Sequence, residues 1–151
     1  MTTLFLKSFI LAFAGSVAPA MVLNIEKRLL HWAGLCGALG YCIALAVNPF
    51  SDSLSVAQIF TGTVAVGLYS ELMARRLKSP ATVFCIPGII PLVPGVSAYQ
   101  TMQSLVANNI QEASAYAVNT IFKAFAIAFG IMIVSAVFRF LGKIRKKQYI
   151  R

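Results

Sequence analysis

Acidic residues are scarce in this chain. Its 151 residues include four Asp and Glu against thirteen Lys and Arg, with a single His. Charged residues of both signs make up 11% of the chain, whereas a soluble domain carries about 25%. So few cannot cover a water-exposed core of this size, which excludes a soluble globular domain. The single His31 stands apart from any second ligand type at metal spacing, and no Cys-x-x-Cys is present. Cys36, Cys42 and Cys85 all fall in apolar segments and read as unpaired thiols, not as disulfides or metal ligands. There is no Ser/His/Asp order, phosphate loop or dinucleotide fingerprint. The sequence therefore points to no enzyme, no cofactor and no metal site.

What is abundant is apolar sequence: 59% of the residues, with a mean hydropathy of +0.81. That composition reads as one all-α, polytopic transmembrane domain over 1–151. The apolar segments predict about five spans, near 4–23, 29–47, 56–74, 80–107 and 115–141, followed by a basic tail over 142–151. The net charge of +9 does not indicate nucleic acid, because the basic residues are confined to a few short stretches with no aromatic-interleaved basic face. Lys27 and Arg28 follow the first span, Arg75, Arg76 and Lys78 the third, and Arg139 to Arg151 the last. The connections at 48–55 and 108–114 carry no Lys or Arg. This alternation predicts an N-terminus outside and a C-terminus in the cytoplasm. Ala18-Pro19-Ala20 would suit signal cleavage, but removing the first span would place the basic tail outside, so it is read as a retained span.

The fourth segment is unlike the others. CIPGIIPLVPGVSAY, from Cys85 to Tyr99, holds Pro87, Pro91 and Pro94 with Gly88 and Gly95 in an uncharged apolar run. Each proline removes a donor, and each biases the preceding residue away from the α region. Broken backbone in hydrocarbon is tolerated only where protein or a wet cavity surrounds it. An interrupted span is thus a pointer to a transporter's binding site. The prolines should leave the carbonyls of Val83, Pro87 and Ile90 without their usual donors. Ser97-x-x-Gln100 reads as a capping box opening a new helix. From there Ser97, Gln100, Thr101, Ser104 and Asn108 recur at helical spacing along one face. A helix start attracts a carboxylate and free carbonyls attract an ammonium group, so the pattern suits a small zwitterion or organic acid.

Two charged residues carry open alternatives. Glu71 lies four residues before Arg75 and is either a structural ion pair or a coupling carboxylate. Lys123, roughly 15 Å into the last span from Ala113 if helical, either faces a cavity, where Glu71 or a substrate carboxylate would pair with it, or snorkels to the interface. Asn119, four residues earlier, should share its face. Gly34, Gly37 and Gly40 form a small strip on the second span, fit for close helix packing or merely tolerated.

The run Ile90-Pro91-x-x-Pro94-Gly95-x-x-x-Tyr99, preceded by Arg75-Arg76-x-Lys78-x-Pro80, resembles the small five-span membrane subunit of the threonine/serine exporter family. Asn24-x-x-x-Arg28-x-x-x-Trp32 is also similar to that family, and the likeness extends over essentially the whole chain. Lys123 is a departure, matching no hallmark of the family. The resemblance implies a bacterial inner-membrane exporter of small amino acids or related carboxylates. It also implies a larger partner subunit with its own five spans.

The expected mechanism is alternating access about the break. Pro87, Gly88, Pro91, Pro94, Gly95, Ser97, Tyr99, Gln100 and Thr101 would form the substrate site, with Glu71 and Lys123 as charge partners. Gly88 and Gly95 would flank a flexible or extended segment, and an ion or proton gradient would drive transport. The rival reading is a scaffold subunit that stabilises a partner carrier without transporting.

Overall fold

The computed structural model describes residues 2–47 and 54–148; the connection at 48–53 and the last three residues of the tail lie outside the described residues. The described chain is helical: α1 Thr2–Val22, α2 Lys27–Val47, α3 Val56–Leu77, α4 Thr82–Ile89, a 3-10 turn Ile90–Leu92, α5 Gly95–Val106 and α6 Ile110–Gln148. Helices α1, α2, α3 and α6 are each long and apolar enough to cross a bilayer. The α4–turn segment and α5 make a further span between them, bent by 52°. The protein is a polytopic membrane protein of about five spans.

Local signals explain the ends. Ser55 and Gln58 form a reciprocal capping box at the start of α3: Ser55 N–H donates to Gln58 Oε1 at 2.7 Å, and Gln58 N–H donates to Ser55 Oγ at 3.4 Å. Helices α1, α3 and α5 end alike, each on a residue of positive φ: Asn24 (54°), Lys78 (52°) and Asn108 (57°). Beyond each, the next N–H reaches back: Ile25 to Ala20 O, Ser79 to Ala74 O, Asn109 to Ser104 O. This is the helix-ending hydrogen bond usually built on glycine, here made by asparagine twice and lysine once.

Helix α2 is the hub, packing against α1, α3 and α4. Its three glycines serve three neighbours. A β-carbon on Gly34 would meet Phe13 and Val17 of α1, one on Gly37 would overlap Ser16 Oγ and approach Gly88 O, and one on Gly40 would strike Val66 and approach Gly62 O. Close approach of small residues is how membrane helices gain van der Waals contact, since lipid tails give no hydrophobic drive between them. The strip is therefore a packing device, not tolerated glycine. Phe84 and Leu92 bring the broken span into this core, both fully buried.

Helices α3 and α6 run parallel: Thr63 contacts Gly130, Gly67 contacts Val134, and Arg75 reaches Phe138. That register sets Lys123 level with Val56 in the first turn of α3. Residues 110–122 of α6 therefore extend about 20 Å past the start of α3, and α5 packs back along that extension, touching little else. The basic connections lie at one end of the bundle; the α5–α6 turn lies at the other, where Lys7 near the start of α1 is exposed.

Several expectations about the broken span are corrected. Helix α4 runs on through Pro87 and Gly88, and the break falls at Val93–Pro94 (Val93 φ −62°, ψ 131°; Pro94 φ −75°, ψ 58°). Two of the carbonyls expected to be free are bonded. Ile90 N–H donates to Pro87 O, and Val93 N–H donates to Ile90 O at 3.2 Å. The tighter 3-10 turn supplies i-to-i+3 bonds where proline removed the α-helical ones. Gly88 lies inside α4, not at the edge of the break, and is buried with its Cα against Cys36; Gly95 opens α5, with open space around it and negative φ. The Ser97-x-x-Gln100 capping box does not form. Pro94 occupies the N-cap position and α5 begins at Gly95, so Ser97 lies in the first turn and its Oγ donates to Pro94 O at 3.2 Å.

Candidate functional site

The break opens a cavity of about 240 Å³. Its wall is the backbone and side chains from Pro91 to Ser97, with Tyr41 of α2, Leu54 and Ile59 at the start of α3, and Lys123 of α6. A water takes about 30 Å³ of liquid volume, so there is room for a solute of several heavy atoms. Three of the expected proline and glycine positions, Pro91, Pro94 and Gly95, join Ser97 and Lys123 here. Pro87 and Gly88 sit one to two turns away in the α2–α3 packing. Tyr99 is 67% exposed. Thr101 is half-buried, its Oγ1 donating to Ser97 O at 2.8 Å. Gln100 lines a separate cavity nearer the α5–α6 turn.

Lys123 is the decisive group. It is 6% exposed, on the face of α6 that also buries Ala113, Ala126, Gly130 and Val134. Among the described residues it has no hydrogen-bond or ion-pair partner. Asn119, expected beside it, is exposed. Its Nζ is not among the fully enclosed unpartnered atoms, which are Ser16 Oγ and Tyr69 OH, so an anion in the cavity that Lys123 lines can pair with it.

The start of α5 adds to the same sign of field. Ala98 N–H donates to Pro94 O (3.1 Å) and Gly95 N–H to Val93 O (2.8 Å), while the N–H groups of Val96 and Ser97 have no backbone acceptor among the described residues. A helix start carries about half a positive charge, and this one borders the cavity that Lys123 lines. Among the described residues the lining contains no carboxylate. The arrangement can bind an anionic group such as a carboxylate.

Glu71 belongs elsewhere. It lies half-buried on α3 near the basic end, some 15 residues along the helix from the level of Lys123, about 22 Å by helical rise. The expected Glu71–Arg75 pair is not made; Arg75 turns to α6, with Nη2 donating to Phe138 O at 3.3 Å and its guanidinium 4.8 Å from the Phe138 ring centroid. The ion pair among the described residues joins Arg28 and Glu26 at 3.6 Å on the surface, worth little in stability.

Other features do not build a site. The described residues hold no cluster of three or more His, Cys, Asp or Glu, and Cys36, Cys42 and Cys85 are free thiols. A groove between α3 and α6 lined by Phe60, Phe122, Phe125 and Phe129 has almost no polar surface and cannot orient a polar solute. Sequence reasoning missed Tyr41, Leu54 and Ile59 as cavity walls. Nothing in their local sequence marks them, because the cavity exists only where α2, α3 and α6 meet the break.

A family model described as "Threonine/Serine exporter, ThrE" matches residues 8–137. That span contains every element of the bundle from the first turns of α1 to the membrane part of α6. No solved structure matches the chain.

Proposed function

The chain belongs to the threonine/serine exporter family, a transporter family, and on that premise we propose that it is the small subunit of a secondary exporter for small amino acids or related carboxylates. The substrate carboxylate is held at the break, between the Lys123 ammonium and the free N–H groups of Val96 and Ser97. Pro91, Pro94 and Gly95 shape the cavity. Tyr99, Gln100 and Thr101 lie on the helix that leads away from it. The observation that supports this reading is a lysine that is 6% exposed, has no partner among the described residues and lines the same cavity as an open helix start.

The same reading supplies a mechanism. Alternating access proceeds by α5 swinging about Val93–Pro94 while α4 stays locked to α2. With no phosphate-binding loop in the sequence, an ion or proton gradient drives the cycle. In this reading the chain sits in the bacterial inner membrane, and the basic connections support an N-terminus outside and a C-terminus in the cytoplasm. A larger five-span subunit completes the exporter; an odd span count in each gives two halves of opposite topology.

The test is Lys123→Met beside Lys123→Arg, assayed as export of radiolabelled L-serine and L-threonine from cells carrying the complete transporter. The Met variant should assemble normally and lose export, and the Arg variant should keep part of it. Full export by the Met variant overturns the site. Loss of assembly by both variants supports the scaffold role instead.

A further inference from the structure

The seam between α5 and α6 does not end at the break. Toward the α5–α6 turn it opens into a second cavity of about 290 Å³, lined by Gln100, Gln103 and Ser104 from α5 and by Asn109, Glu112 and Tyr116 from the turn and α6. Most of its lining is polar, unlike the groove between α3 and α6. Ser97 and Ser104 are both buried and lie seven residues apart, so they share the α6-facing side of α5. Glu112 and Lys123 are eleven residues apart on α6, close to three full turns, so they too share a face. Half-buried Tyr116 and Thr120 lie between them, with Thr120 Oγ1 donating to Tyr116 O at 2.8 Å. Polar residues of α5 and α6 therefore lie along the helix contact between the two cavities.

Its ends carry opposite charges. Lys123 marks the inner end and Glu112 the outer, about 16 Å apart along the helix. Helix α5 contributes no charged side chain. At the turn α5 ends and α6 begins, so their terminal partial charges, each about half a unit and opposite in sign, largely offset one another. The full charge of Glu112 sets the sign of the outer cavity. Its other polar atoms are amide and hydroxyl groups, which can accept from a cation. Asn109 Oδ1 is already engaged, accepting from Glu112 N–H at 3.4 Å.

We infer that the outer cavity is a second binding station that takes the ammonium group of an amino-acid substrate. This rests on the carboxylate reading of the Lys123 cavity. The two charges of an α-amino acid lie only a few ångströms apart and cannot reach both ends at once. The substrate occupies the stations in turn, held by its carboxylate at Lys123 and then by its ammonium group at Glu112. A carboxylate without an amino group is held at the first station and repelled at the second. The pair of stations thus selects zwitterions over simple organic acids of the same size, which the Lys123 cavity alone does not do.

The experiment compares L-serine with glycerate, the same skeleton bearing a hydroxyl in place of the amino group, in inside-out vesicles carrying the complete transporter. Glu112 is exposed, so Glu112→Gln should fold, and Glu112→Asp keeps the charge. The Gln variant should raise KM for L-serine about tenfold, the scale of one lost charge-assisted contact, and the Asp variant should largely preserve it. Glycerate should compete with serine as well or better in the Gln variant. An unchanged serine KM in the Gln variant overturns the station, as does an equal loss for serine and glycerate. Lys123→Met tells the two ideas apart: if it exports both compounds normally, the carboxylate site itself fails; if it abolishes both while Glu112→Gln does nothing, only the second station fails.

Discussion

The Cα of Gly88 faces the Sγ of Cys36 so closely that a β-carbon added there would lie 2.7 Å from the sulfur. This contact pins α4 to the middle of α2. Val66 Cγ1 of α3 stands on the other side, 3.1 Å from the same point. In the proposed cycle, motion about the break is therefore left to α5.

Gly88→Ala should therefore destabilise the protein by about 1–3 kcal/mol, the usual cost of overpacking a close-packed interior. Cys36→Ala in the same chain removes the sulfur and should recover much of that loss, although Val66 remains. Melting of the purified protein in detergent, followed by size-exclusion chromatography, reads both. A double variant no better than Gly88→Ala alone would show that Cys36 is not the obstacle.

Pro94→Ala restores a backbone donor at the bend and removes the ring that sets φ near −65°. The 3-10 turn should then run more smoothly into α5 and reduce the 52° bend. Spin labels at exposed Ile86 and Met102 should move apart, as measured by pulsed dipolar spectroscopy, and export should fall about tenfold or more as the cavity between α5 and Lys123 closes. An unchanged distance distribution would mean that tertiary contacts, not Pro94, impose the bend.

Ser97→Cys, in a chain whose Cys36, Cys42 and Cys85 are replaced by Ala, should react with a membrane-impermeant thiosulfonate, because its cavity must admit water and solute. L-Serine should protect it. A thiol that stays unreactive with and without substrate would make the cavity dry and remove the route by which a substrate reaches Lys123.

Arg75→Ala removes both the stacking on Phe138 and the hydrogen bond to its carbonyl, and should cost about 1 kcal/mol in thermal stability. Glu71→Gln should leave export within about twofold, since Glu71 makes no ion pair among the described residues and lies about 22 Å along the helix from the level of Lys123. A large loss of export in Glu71→Gln with intact folding would restore the coupling role for that carboxylate.

The membrane class, the number of spans and the presence of an interruption could be read from composition and from three prolines in one apolar run. Those features act over a few residues, and apolar runs of about twenty residues in hydrocarbon satisfy their backbone as helix. The details of the interruption were less legible. Ser97 and Gln100 have the spacing of a capping box, as Ser55 and Gln58 do, yet only the second pair forms one. Pro94 claims the N-cap position in the first case, and local pattern does not rank the competitors. Gly88 and Gly95 look alike in sequence, but one is clamped by Cys36 and the other stands in open space.

By itself the sequence determined that this chain crosses a bilayer about five times, that its basic connections gather at one end, and that its fourth crossing cannot be a continuous α-helix. Each follows from local chemistry: apolar run length, charge placement and the missing amide of proline. Only the tertiary structure decided that Lys123 packs beside the start of α5, and that Glu71 and Lys123 lie too far apart to pair. Those outcomes depend on the parallel register of α3 and α6 and on the course of α5 back along α6. That register comes from the fit of Gly67 against Val134 and Gly130 against Thr63, contacts between residues more than sixty positions apart that no local pattern encodes.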